Sequence, residues 1–117
     1  MDIDTEEKIF QMHAELCKSM ANPTRLKIIN LLREGEKSVE ELRERLKLPK
    51  ANLSQHLSIL RQRRIVTNRR SGLNVYYRCA NPKMLKACEI LREVLLEQLA
   101  EGGKLMEWAN QQKKIRK

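Results

Sequence analysis

The sequence predicts a mainly α-helical fold with one β-hairpin, and three observations carry that expectation. Apolar residues recur at helical spacing in one short segment after another. Two β-branched and aromatic runs, "IVTNRR" and "NVYYRCA", flank the glycine-containing "SGL". Only 3% of the 117 residues are aromatic, so Leu, Ile and Val must fill the one modest core that such a length allows.

The first helix is read over residues 5–20. Ile9, Met12, His13, Leu16 and Met20 share a side, Thr5 serves as N-cap and acids occupy the first turn. Asn22 caps a second helix, "NPTRLKIINLLRE", with Pro23 at its first position and Leu26, Ile29 and Leu32 on one side. Gly35 ends it. Ser38 and Glu41 form a capping box for a third helix that turns Val39, Leu42 and Leu46 inward. "KLPK" breaks the pattern, and a fourth helix runs from Lys50 to Arg63. The two strand runs then pair through a turn at Gly72. A long last helix covers residues 82–101, halted by Gly102-Gly103. "KLMEWANQQ" is read as a further short helix before the basic tail "KKIRK". Two short helices joined by a tight turn, then at once a hairpin with a basic tip, make a winged helix-turn-helix. Residues 1–117 are read as a single such domain.

The formal charge is +9 and the pI about 9.8, which calls for an anionic partner. Its placement is more informative than its size. Between Glu44 and Glu89 there is no Asp or Glu, while Arg61, Arg63, Arg64, Arg69 and Arg70 crowd the middle of that gap. No stretch approaches the roughly 20 apolar residues that cross a bilayer. The start "MDIDTEEKIF" is acidic and lacks the layout of a signal peptide. A cytoplasmic location without membrane contact is expected, with reduced cysteines whose odd number argues against a disulfide framework.

On a helical wheel the fourth helix gathers Leu53, Leu57 and Leu60 on its inner side. The opposite side carries Ala51, Ser54, Gln55, Ser58 and Gln62, with Asn52 beside them. These small and amide residues suit a helix in the major groove of double-stranded DNA. Gln can bond an adenine edge in two places, Ser can donate or accept, and Ala can touch a thymine methyl. Lys50 adds charge where helix-start amides already favour phosphate. Arg61, Arg63 and Arg64 close the helix, and Arg69 and Arg70 climb the wing toward phosphates or the minor groove. The plain alternative is a solvated helix, but such a face mixes both signs of charge and this one does not. His56, at the edge of the leucine stripe, either bonds a phosphate or is satisfied within the fold. Tyr76 and Tyr77 alternate across the strand, so that one packs inward and Tyr76 is taken as the backbone contact.

With these motifs in place, "LCKSMANPTRLKIINLL" and "LPKANLSQHLSILRQRRIVTNRRSGLNVYYR" resemble the second helix, recognition helix and wing of the ArsR/SmtB family of winged-helix repressors. The similarity spans about residues 10–100. It implies a homodimer formed by the first and last long helices, binding to an imperfect inverted repeat, and release by an inducer. The residues agree: Met84, Leu85, Cys88, Leu91, Leu95 and Leu99 line one face of the last helix, and a lone subunit would struggle to cover it. A twofold dimer places its two recognition helices one duplex turn apart, hence a palindromic operator.

The resemblance departs from the family at the inducer sites. Its arsenic and cadmium sensors carry Cys-x-Cys where this chain has Ser38 and Glu40. Its zinc and nickel sensors use Asp and His on the last helix where this chain has Asn81, Lys83, Val94 and Glu97, of which only Glu97 can bind a metal. No metal site and no cofactor is expected, with a soft metalloid or metal left open as inducer. Cys17, Cys79 and Cys88 are either apolar fillers or the seat of a thiol switch answering an oxidant, reactive sulfur or a soft metalloid.

The alternative to a sequence-specific repressor is an architectural or protein-interaction module that binds nucleic acid only non-specifically. Catalysis is not expected. There is no phosphate-binding glycine loop, and Ser54 and His56, two apart on a helix, point to different faces.

Overall fold

Asp2, rather than Thr5, starts the first helix. Its carboxylate accepts from the Thr5 amide at 2.7 Å, and α1 runs Ile3–Met20. The computed structural model describes residues 1–103, 107–108 and 110–112. Residues 1–85 make one compact unit and residues from 86 onward a second.

Asn22 caps α2 (Pro23–Leu32), its side-chain oxygen accepting from the Thr24 and Arg25 amides at 2.9 and 3.1 Å. The buried residues of α2 are Ile28, Ile29 and Leu32, while Leu26 stays 45% exposed. The three buried positions span about 100° of the helix and Leu26 lies about 60° beyond them, so the spacing places Leu26 on the margin, not in the core. Ser38 caps α3 (Val39–Leu46) through the expected capping box with Glu41, with bonds of 3.1 and 3.2 Å. Lys47, with φ of 54°, turns the chain out of α3, and Pro49 leads into α4 (Lys50–Gln62).

Leu53, Leu57 and Leu60 of α4 are buried together with Leu42, Ile65 and the α2 residues. Burying each such side chain stabilises by about 1.5–3 kcal/mol, so this cluster fixes the angle at which α4 is presented.

The wing is β2 (Val66–Ser71) paired antiparallel with β3 (Asn74–Cys79) around Gly72. Gly72 has φ of 62°, a conformation glycine adopts without the Cβ clash other residues meet. The sheet has one strand more than the hairpin expected. Lys37–Ser38, designated β1, pairs with Tyr77 and Tyr76, giving the order β1-β3-β2. A two-residue strand has no alternation to read; only its pairing defines it.

The second unit carries most of α5 (Pro82–Glu101), whose bounds agree with the expected last helix. The Asn81 side chain caps it by accepting from the Lys83 amide at 3.0 Å. Ile90, Leu91, Val94, Leu95 and Leu96 are exposed along it. Of the short helix expected in "KLMEWANQQ", residues 107–108 and 110–112 are described and helical; the basic tail lies outside the described residues.

Candidate nucleic-acid interface

The outer face of α4 is open. Lys50, Ala51, Asn52, Ser54, Gln55, Ser58, Arg61 and Gln62 are all exposed, and no described segment of the chain covers them. None of their side chains has a hydrogen-bond partner among the described residues. The start of α4 is open in a second way. Side chains of Asp2, Asn22, Ser38 and Asn81 cap the other helices, whereas Pro49 gives α4 no side-chain cap. Its first amides therefore keep their donor capacity for an external acceptor.

His56 is half-buried beside this face. Its Nδ1 accepts from Arg25 Nε at 3.2 Å, and Arg25 Nη1 also donates to the Ser19 carbonyl at 2.9 Å. The guanidinium thus joins the end of α1 to the middle of α4. His56 has one ring nitrogen engaged within the fold and Nε2 without a partner among the described residues.

The arginines divide into two groups. Arg61, Arg64 and Arg70 are exposed and make no ion pair among the described residues. Arg63 donates to Glu15 at 3.1 Å, linking α4 to α1. Arg69 is held more firmly, its Nε and Nη2 donating to the two oxygens of Glu36 at 2.9 and 2.6 Å. The same guanidinium lies over the Tyr76 ring, 4.7 Å from its centroid. The bond from Arg69 holds the Glu36 carboxyl below the usual glutamate range, and Glu36 in turn raises Arg69. Tyr77 is the inward tyrosine, its hydroxyl accepting from Asn68 Nδ2 at 3.3 Å. Arg64 stands at φ of 57°, a left-handed position that closes α4 with bonds from Arg64 N to Arg61 O and from Ile65 N to Leu60 O.

None of the cysteines is buried. Cys17 is exposed, while Cys79 and Cys88 are half-buried. The Cys79 thiol donates to the Asn81 carbonyl at 3.3 Å. Among the described residues no three His, Cys, Asp or Glu side chains gather as metal ligands, and no helix is long and apolar enough to cross a membrane.

A helix-turn-helix with an uncovered polar second helix, backed by a basic wing, is the architecture of a DNA-binding transcription regulator. Comparison with known proteins defines it further. The model for bacterial regulatory proteins of the arsR family matches residues 22–68. The HTH-type regulator Rv0081 of Mycobacterium tuberculosis is 34% identical over 102 residues, covering 86% of this chain and 90% of that protein. Its crystal structure superposes with a TM-score of 0.74 over 80% of this chain and 94% of its own. The transcriptional repressor PagR of Bacillus anthracis is 40% identical over 82 residues, or 69% of this chain and 82% of PagR. The homodimeric winged helix-turn-helix DNA-binding domain of Mb0332 from Mycobacterium bovis, 28% identical, gives a TM-score of 0.76 over 85% of this chain and 92% of that domain. The chain belongs to the ArsR family of transcriptional regulators.

Arg25, Glu15 and Glu36 have no place in the sequence reading of the interface. Each acts through a partner distant along the chain, and no local pattern marks it.

Proposed function

We propose that the protein is a homodimeric repressor, acting in the cytoplasm, that binds an inverted-repeat operator with α4 in the major groove. Ala51, Asn52, Ser54, Gln55 and Ser58 read base edges. Lys50, Arg61, Arg64 and Arg70 meet phosphates, with His56 Nε2 as a further donor. The exposed apolar residues of α1 and of α5 supply the subunit interface, and the Mb0332 domain, a relative, is homodimeric. The uncovered, unpaired polar face of α4 carries this reading, since a solvated helix would bear charges of both signs there.

The test is selection of bound duplexes from a random library, followed by titration of the winning sequence and of random DNA. An inverted repeat preferred by roughly a thousandfold or more supports the proposal. Equal loss of both complexes to competitor DNA would leave an architectural module instead. Transcription assayed from the selected site distinguishes repression from activation.

Release by a thiol-reactive signal is supported by one observation, the exposure of Cys17. Titration of the reduced, oxidised and As(III)-treated protein, repeated with Cys17→Ser, Cys79→Ser and Cys88→Ser, tests it. Indifference of the wild type to every treatment removes it.

A further inference from the structure

We propose that Glu36 is a specificity-determining residue of the DNA interface, cancelling the charge of Arg69 and so restraining sequence-independent binding. The proposal rests on the DNA-binding reading above.

The wing offers two adjacent exposed arginines, Arg69 and Arg70, yet their situations differ. Arg70 makes no ion pair among the described residues. Arg69 is fixed at three points: two donors on Glu36 and its face on Tyr76. Glu36 is the more enclosed partner, with 28% of its side chain exposed against 56% for Arg69. It immediately precedes the Lys37–Tyr77 pairing of β1 with β3, so the sheet anchors its backbone.

Arg69 cannot turn to a phosphate without leaving an anchored carboxylate facing the same phosphate. The pair therefore approaches DNA with no net charge and releases no counterion. Base-reading residues on α4 are unaffected, so the discarded affinity is the part that all sequences share. A bidentate pair also fixes direction as well as distance, so Glu36 has a second consequence: it holds the wing in one orientation.

The test compares binding of a random-sequence duplex over a range of salt concentrations, using wild type, Glu36→Gln and the double variant Glu36→Gln/Arg69→Gln. Glutamine keeps an oxygen that can accept from Arg69 but removes the charge. Glu36→Gln is expected to steepen the logarithmic salt slope by about 0.9 per engaged subunit and to tighten random binding roughly tenfold at 0.1 M salt. The double variant, again without net charge, is expected to return to the wild-type slope. An unchanged or shallower slope for Glu36→Gln, or a double variant shallower than wild type, overturns the proposal and leaves Arg69 as an ordinary phosphate contact. Wild-type protein that fails to bind any duplex would instead overturn the DNA-binding reading, and this proposal with it. Matching circular dichroism and thermal midpoints show that the variants compared are folded alike.

Discussion

Arg25 reaches from α2 to His56 of α4, its Nε 3.2 Å from the imidazole Nδ1, while Nη1 holds the Ser19 carbonyl at the end of α1. A nitrogen that accepts a hydrogen bond carries no proton, so the ring's N–H sits on Nε2. One guanidinium therefore sets the register of α4 against α1 and decides which edge of His56 is a donor.

Replacing Arg25 with Gln should remove both bonds and lower stability by about 1–3 kcal/mol, read from urea unfolding. The same variant should release His56 from a single tautomer, which imidazole ¹⁵N shifts report. A variant that unfolds as the wild type does and keeps the wild-type imidazole shifts would show that the bridge is idle.

Arg64→Gly separates folding from binding. A side chain at φ of 57° meets steric cost that glycine avoids, while glycine loosens the unfolded chain. The net expectation is a gain of about 0.5–1 kcal/mol in stability. DNA affinity should fall at the same time, roughly tenfold at 0.1 M salt for a single phosphate left without its cation. A more stable protein with undiminished binding would remove Arg64 from the interface.

Gln55→Ala should cost about 1–3 kcal/mol on the selected operator and blur preference at one base pair in each half-site. Titration against single-position operator variants checks this. Unaltered discrimination would mean that another face of α4 enters the groove.

Glu34 accepts from Lys37 at 3.1 Å and from Arg45 at 3.3 Å, and the Lys37 bond, then the Arg45 bond, holds its carboxyl below the usual range. A depressed folded-state value means that the stabilisation is complete above the ordinary value of 4.5 and is lost as pH falls through the lower one. Lys37 is buried, so protonating Glu34 strips a partner from an enclosed ammonium. Thermal midpoints of wild type and Glu34→Gln should differ most at neutral pH and converge on acidification. A gap that persists in acid would exclude the ion pairs as its source.

Local chemistry was the legible part of this protein. The Ser38–Glu41 capping box, Asn22 before Pro23, the leucine stripe of α4 and the turn at Gly72 each rest on residues a few positions apart, and each stands where expected. What escaped depends on residues far apart in the chain. β1 exists because Lys37 and Ser38 meet Tyr77 and Tyr76. The acid-free interval from Glu44 to Glu89 suggested unpaired arginines throughout, yet Glu15 and Glu36 arrive from outside it to hold Arg63 and Arg69. A gap in sequence is not a gap in space. Thr5 failed as a cap for a simpler reason: Asp2 offers a carboxylate one turn earlier.

Pro49 leaves α4 without the side-chain acceptor that begins α1, α2, α3 and α5. Among the described residues no side chain accepts from those leading amides. A phosphate arriving there would complete the helix it docks against. In the proposed DNA-binding mode a backbone phosphate would then give α4 the acceptor that Asp2, Asn22, Ser38 and Asn81 give α1, α2, α3 and α5.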